Sequence, residues 1–223
     1  MKKEFNYIDL FSLKNKKVLL LGGFGLIGYE ATKAALDAEA EVLIVDIKYD
    51  KKRFLYLEKK YNKKKIKYLD QKNLSDEKIE LYSKTYSIMV NCIYFKDKNW
   101  SNLDFNSIGE KNFLNNIKDI SYNSLWFPIV FARALKKNKK SGSIINLSSI
   151  YGLVAQDQNI YKNTNITENI VYNYNKSGLI NFTKALASKY TKNGIRSNVV
   201  CPGGVINKSD KFQNSYFLKN YAK

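Results

Sequence analysis

Short apolar runs alternate along this chain with longer stretches in which polar and apolar positions mix. Val18-Leu19-Leu20-Leu21 is a continuous apolar run that ends in glycines, which predicts a strand buried on both faces. A glycine loop over 22–28 leads into a helical stretch over 29–39. "EVLIVDI", residues 41–47, predicts a second buried strand, and 51–61 a charged helix. Residues 66–69 predict a third strand, 75–85 another helix, and "YSIMVNCI", 86–93, a fourth strand. Beyond a polar stretch, 113–137 reads as a helix with Pro128 as a kink point. "SIINL" over 143–147 predicts a fifth strand. A helix over 172–193 is stopped by Gly194 at its C′ position, and a sixth strand over 195–200 is closed by Cys201-Pro202-Gly203-Gly204. Strands alternating with helices predict an α/β fold, a doubly wound parallel sheet of about six strands with helices on both faces. No repeat, low-complexity linker or composition break divides the chain, so a single domain over 1–223 is expected.

Composition narrows the chemistry. There is no histidine, which removes Ser-His-Asp and Cys-His catalysis and every histidine-ligated metal site. Cys92 and Cys201 have no CxxC partner, so a disulfide framework or zinc ribbon is not expected and a reducing, cytoplasmic setting is. The net charge is +18 and the isoelectric point about 9.6. The lysines are scattered among Asn and Ile, however, and no nucleic-acid motif accompanies them, so they read as solvated faces rather than a nucleic-acid surface. Residues 1–17 lack the apolar core of a signal peptide. The run from Val18 to Ile27 contains three glycines and is too short to span a bilayer.

Gly22, Gly25 and Gly28 form GxxGxxG between the first strand and first helix. Such a loop lets backbone approach a pyrophosphate whose charge sits at the helix N-terminus, although a tight strand-to-helix turn explains the glycines equally well. Asp46 ends the second strand, 18 residues beyond Gly28, where a carboxylate accepts hydrogen bonds from an adenosine ribose and repels a 2′-phosphate. NAD is therefore expected over NADP. Asp70 ends the third strand and is read either as an acceptor for the adenine amino group or as a polar strand end. Tyr172 and Lys176 stand four apart on one helix face, so the ammonium is expected to lower the phenol's pKa toward neutrality and fit it for proton transfer. Ser149 lies at the end of the fifth strand, where its hydroxyl can hold the substrate oxygen that Tyr172 protonates.

These pieces, in this order, resemble the short-chain dehydrogenases/reductases. The matching stretches are "LLLGGFGLIG", Asp46, Asn91 in "VNCIY", "GSIINLSSIYG", "YNYNK" with "SGLINFTKALA", and "GIRSNVVCPGG", spanning 17–204. "SSIYGLVAQDQNIY" and the long segment before Tyr172 look most like the flagellin modification protein A branch, which is associated with sugars for surface glycosylation. The resemblance implies a Rossmann-like NAD(P)-binding domain with Gly22, Gly25, Leu26, Ile27, Gly28, Asp46, Asp70, Asn91, Tyr172, Lys176, Pro202, Gly203 and Val205 about the cofactor. It implies that Ser149 orients the substrate, Tyr172 is the general acid/base, and Lys176 holds the nicotinamide ribose. Val205 would meet the nicotinamide carboxamide through its backbone.

The chain departs from the family pattern in several places. Leu21 replaces the usual Thr before the first glycine. Asn91-Cys92-Ile93-Tyr94 stands where the family has Asn-Asn-Ala-Gly, so bulk replaces a small residue near the cofactor. The fourth catalytic position, usually an Asn that holds a proton-relay water, falls on Ser121; Asn123, two residues on, is rotated by about 200° around the helix. The family continues through another helix and a seventh strand beyond the point where this chain stops, so the C-terminus is read as truncated and the sixth strand as an exposed edge. The segment 152–171 is the expected substrate-specificity element, with Gln156 and Tyr161, and also Asp157 and Asn163, as groups for a polyhydroxyl compound. The expected activity is an NAD-dependent hydride transfer between nicotinamide and a carbonyl or secondary alcohol of a sugar-like small molecule, with no metal, membrane or nucleic-acid partner and the homo-oligomers of the family as an analogy. The alternative is an impaired relative that binds dinucleotide without turnover.

Overall fold

The computed structural model describes residues 7–94, 104–164, 167–207 and 215–222. Six strands form one parallel sheet: β1 (Lys17–Leu21), β2 (Glu41–Asp46), β3 (Ile66–Asp70), β4 (Ile88–Asn91), β5 (Gly142–Leu147) and β6 (Ile195–Val200). Their order is β3-β2-β1-β4-β5-β6, with the crossover between β1 and β4 that a doubly wound sheet requires. Helices α1 (Leu26–Asp37), α2 (Lys51–Lys60), α3 (Asp76–Ser83), α4 (Glu110–Lys137) and α5 (Ile170–Tyr190) connect them, and α6 (Ser215–Tyr221) follows. The predicted α/β class is the observed one. The chain divides into two compact units. Unit 1 draws on 1–93, 127–145 and 190–196, and unit 2 on 94–126, 146–189 and 197–223.

In unit 1 the apolar runs become the sheet centre. Val18, Leu20, Val42 and Ile44 form one buried cluster with Leu36 of α1, Leu57 of α2 and Ile66. The register pairs Leu21 with Val45 and with Asn91, and Asp46 with Asp70. The carboxyl ends of β1, β2, β3 and β4 therefore open together, and the glycine loop, Asp46, Asp70 and Asn91 share that opening. Local caps fix the helices that lead away from it. Asp50 accepts from Arg53 N at 2.9 Å at the start of α2, and Ser75 from Lys78 N at 3.3 Å at the start of α3. No side chain caps α1, whose N-cap is Gly25.

In unit 2, α5 buries Val171, Leu179, Ile180 and Leu186, but also Asn175, Lys176 and Thr183. Each of these polar groups finds a hydrogen bond, as burial demands. Thr183 donates to Leu179 O at 2.7 Å and accepts from Asn146 Nδ2 at 3.0 Å. Asn175 donates to Val171 O at 2.8 Å, and Lys176 Nζ to Leu147 O at 3.0 Å.

Several boundaries differ from expectation. α1 starts at Leu26 rather than at residue 29, because the glycine loop closes within Gly22–Gly25 and leaves Leu26 and Ile27 in the first helical turn. α4 starts at Glu110 and runs through Pro128 to Lys137. α5 ends at Tyr190; a 3-10 turn over Thr191–Asn193 then leads to Gly194, whose φ of 71° takes the left-handed form expected of it. α6 and a 3-10 turn over Tyr7–Phe11 were not expected from the pattern.

Candidate active site

Unit 1 holds the groups predicted to bind a dinucleotide. Gly22 has φ 72°, and a Cβ on Gly28 would sit 2.0 Å from Gly22 O. Loop and helix start thus touch backbone to backbone, which only glycine permits. The uncapped N–H groups of the first turn of α1, at Leu26 and Ile27, are left to meet an anion. Asp46 extends from the end of β2 and accepts from Phe24 N at 2.8 Å. It also accepts from Lys48 N at 3.4 Å. A carboxylate has about four acceptor positions, so capacity for two ribose hydroxyls remains. The loop is further braced by Arg53 of α2, whose guanidinium donates to Phe24 O and, at 3.4 Å, to Gly25 O while lying 4.8 Å from the centre of the Tyr29 ring. Asn91 is buried, 2% exposed, and its Oδ1 accepts from Ile93 N at 3.3 Å, fixing the turn after β4. Asp70 caps the turn after β3 through Lys72 N at 3.0 Å and pairs with Lys72 Nζ at 3.4 Å.

Unit 2 holds Ser149, Tyr172 and Lys176, and brings them together. The two serines after β5 divide the work. Ser148 donates to Lys176 O at 2.7 Å and its N–H donates to Val200 O at 2.8 Å, which docks the strand end on α5. Ser149 Oγ accepts from Tyr151 N at 3.2 Å and is hydrogen-bonded to the Tyr172 phenol. Lys176 is 6% exposed, and its ammonium lies 5.6 Å from the centre of the Tyr172 ring. Burial raises the Tyr172 pKa above its ordinary value, the hydrogen bond with Ser149 lowers it, and Tyr221 raises it; the net direction is upward. This corrects the lowering expected from the Tyr-x-x-x-Lys spacing. The ammonium directs a hydrogen bond to Leu147 O, and desolvation of the phenolate outweighs the charge-stabilising groups.

Ser121 Oγ donates to Asn175 Oδ1 at 2.8 Å, which ties α4 to the turn of α5 that carries Lys176. The same serine lines a cavity of about 160 Å³ with Ser124, Tyr174, Asn175 and Gly178. Pro202 O accepts from Ile150 N at 3.0 Å, so the Pro202-Gly203 turn lies against the 3-10 turn after Ser149; Val205 beyond it is 40% exposed. In the segment 152–171, Tyr161 is buried enough to push its phenol well up, and Gln156 Oε1 is buried with no hydrogen-bond partner among the described residues. Helix α6 docks on this segment. Asn220 Nδ2 donates to Lys162 O at 2.8 Å, the Phe217 and Tyr161 rings lie 6.3 Å apart, and Tyr221 is hydrogen-bonded to Tyr151.

Sequence reasoning missed Tyr151, Tyr221, Asn175 and the placement of Tyr94. Only Tyr94 carried a signal, as bulk in place of an expected glycine. Its ring stands edge-on to Tyr172, centroids 5.3 Å apart and planes at 79°. No cluster of metal-ligating side chains occurs among the described residues.

Residues 26–220 match the family model described as enoyl-(acyl carrier protein) reductase, and the chain belongs to the short-chain dehydrogenase/reductase family of oxidoreductases. It is 26% identical over 221 residues to D-arabinitol 2-dehydrogenase (ribulose-forming) of Candida albicans strain WO-1, covering 90% of this chain and 74% of that protein. It is also 26% identical over 220 residues to post-translational flagellin modification protein A of Campylobacter coli, covering 95% and 84%. Among solved structures it is similar to a short-chain dehydrogenase of Leptospira borgpetersenii serovar Hardjo-bovis with bound NAD+. That likeness has a TM-score of 0.76 at 26% identity, over 99% of this chain and 81% of the other.

Proposed function

We propose that the protein is an NAD-dependent oxidoreductase that interconverts a secondary alcohol and a carbonyl on a polyol or sugar-like substrate. The observation that carries this reading is the grouping of Ser149, Tyr172 and Lys176, with the Tyr172 phenol hydrogen-bonded to Ser149 and the Lys176 ammonium 5.6 Å from its ring. The dinucleotide cradle fits as well. Gly28 and Gly22 leave no room for a side chain, the start of α1 offers free N–H groups, and Asp46 suits a ribose diol and repels a 2′-phosphate. Bound NAD+ supplies the hydride acceptor.

The side chains then have distinct tasks. Ser149 hydrogen-bonds the substrate oxygen and fixes its place beside the phenol. Tyr172, as phenolate, takes the hydroxyl proton when alcohol is oxidised and returns it when carbonyl is reduced. Lys176 supplies a fixed positive charge next to the developing phenolate. Ser121, through Asn175, holds the α5 turn beneath Lys176. The uncommitted Gln156 Oε1 and the hydroxyls of Tyr161 and Tyr151 support a substrate rich in hydroxyl groups. Kinship with an arabinitol dehydrogenase and a flagellin modification protein points the same way.

Titration with NADH and NADPH, followed by nicotinamide fluorescence, tests the cofactor assignment. NADH is expected to bind more tightly, and Asp46→Ala to narrow the difference. Equal affinities unaffected by Asp46→Ala would defeat it. A screen of pentitols, hexitols and sugar alcohols with NAD+ tests the substrate class. Tyr172→Phe is expected to lower turnover by at least 100-fold while leaving NADH affinity within about twofold. A dinucleotide-binding protein that turns over no alcohol or carbonyl would instead be the impaired relative.

A further inference from the structure

Tyr94 opens unit 2 three positions after Asn91, where the family pattern led to an expected glycine. Its side chain is half-buried, with the hydroxyl fully buried, and lies against both Tyr172 and Lys176. The Lys176 Nζ is 5.0 Å from the centre of the Tyr94 ring and 5.6 Å from that of Tyr172. The two rings meet edge to face at 79°. The ammonium therefore lies beside both aromatic rings, near the corner where they meet, with the Leu147 carbonyl accepting one of its protons at 3.0 Å. A cation over an aromatic face is attracted by the ring quadrupole, most strongly where water is excluded.

We infer that Tyr94 is a positioning residue: its ring holds the Lys176 ammonium against Tyr172, so that the charge which steadies the phenolate stays in place. This takes Tyr172 as the proton-transfer group and so rests on the function proposed above. Tyr94 does not compete for the role itself. Burial pushes its own phenol well above the ordinary value, and ionisation of Tyr172 beside it pushes it further, so the ring facing Lys176 stays neutral while Tyr172 titrates. In the fold, Ser149 lowers the Tyr172 pKa and Tyr221 raises it. The ring face, not the hydroxyl, is what the geometry uses. Phe at position 94 should therefore serve, and Leu of similar bulk should not.

The test follows Tyr172 directly. Difference absorbance of phenolate, each protein minus its Tyr172→Phe counterpart, gives the midpoint of Tyr172 without any turnover. Tyr94→Leu is expected to raise that midpoint so that the ionisation constant falls about 3- to 30-fold, and Tyr94→Phe to leave it within about twofold. The pH profile of alcohol oxidation should move up by the same amount in Tyr94→Leu, with kcat at neutral pH falling and KM for substrate unchanged. Should the Leu variant fail to fold, stepwise fluorinated phenylalanine at position 94 keeps the shape and weakens the quadrupole, and the midpoint should rise with each fluorine. An unchanged midpoint in both series, or a change in KM alone, would overturn the inference in favour of a steric wall. A midpoint that moves as expected in a protein that oxidises no alcohol would instead sink the proposed activity and leave the positioning role standing.

Discussion

Ser148 and Ser149 are adjacent, both buried, and indistinguishable by residue type, yet they face different partners. Ser148 donates to Lys176 O at 2.7 Å, whereas Ser149 is hydrogen-bonded to the Tyr172 phenol. The two should therefore fail differently when truncated. Ser148→Ala leaves a buried carbonyl short of a donor and is expected to cost about 1–2 kcal/mol of stability, read as a lower urea midpoint, with the pH profile unmoved. Ser149→Ala removes the hydrogen bond that pulls the Tyr172 pKa down. The sign is then fixed: without it the phenol holds its proton to higher pH, so alcohol oxidation, which needs the phenolate, should rise later on the pH axis. Carbonyl reduction, which needs the protonated phenol, should persist to higher pH. A Ser149→Ala profile that coincides with that of the unaltered protein would show that the hydroxyl does not act on Tyr172.

Elements rather than single residues decide whether the glycine loop is ready for a dinucleotide, and the brace on it comes from the following βα unit. Arg53 of α2 reaches back to Phe24 O and Gly25 O, its own position set by Asp50, 3.5 Å from its Nε, and by the Tyr29 ring. Arg53→Met keeps the stem and removes the donors. It is expected to lower stability by about 1 kcal/mol and to raise the Kd for NADH severalfold, measured by fluorescence titration, with kcat at saturating cofactor preserved. Unchanged NADH affinity would show that the loop holds its shape alone. This brace illustrates what the chain pattern could and could not disclose. The strands, the order of motifs, Gly22–Gly28, Asp46, Ser149, Tyr172 and Lys176 were legible because periodicity and spacing are local properties. Arg53, Asn175 and Tyr221 were not, because each acts on a residue far away in sequence, and of Tyr94 only its bulk in place of a glycine was visible. Helix α6 was equally hidden: seven residues, Ser215–Tyr221, have no strong periodicity, and the docking of Asn220 on Lys162 O depends on contacts the pattern does not contain.

At the scale of the whole molecule the charge of +18 makes the folded state repel itself, and the exposed ion pairs, such as Lys137–Glu80 at 2.7 Å, offset little of that. Raising the pH discharges lysines and should relieve the repulsion, so any loss of stability in alkali must come from groups that resist ionisation in the fold. Tyr86 is such a group. It is buried beside Tyr82, the rings 5.7 Å apart, and its phenol is pushed up to about 12, chiefly by burial and then by the Glu41 carboxylate. In the unfolded chain a tyrosine titrates near 10. Between about pH 10 and 12 the native state keeps this proton and the unfolded state has lost it, so the unfolded state binds fewer protons and stability falls as pH rises. The contribution is fully present below pH 10 and gone above 12. Tyr86→Phe keeps the ring contact and removes the titration. Its urea midpoint, followed from about pH 8 to 11, should decline less than that of the unaltered protein, the gap reaching about 1 kcal/mol at pH 11. Because both proteins carry the same lysines, the lysine contribution cancels in the difference. Two parallel curves would mean that Tyr86 ionises in the native state as readily as in the unfolded chain.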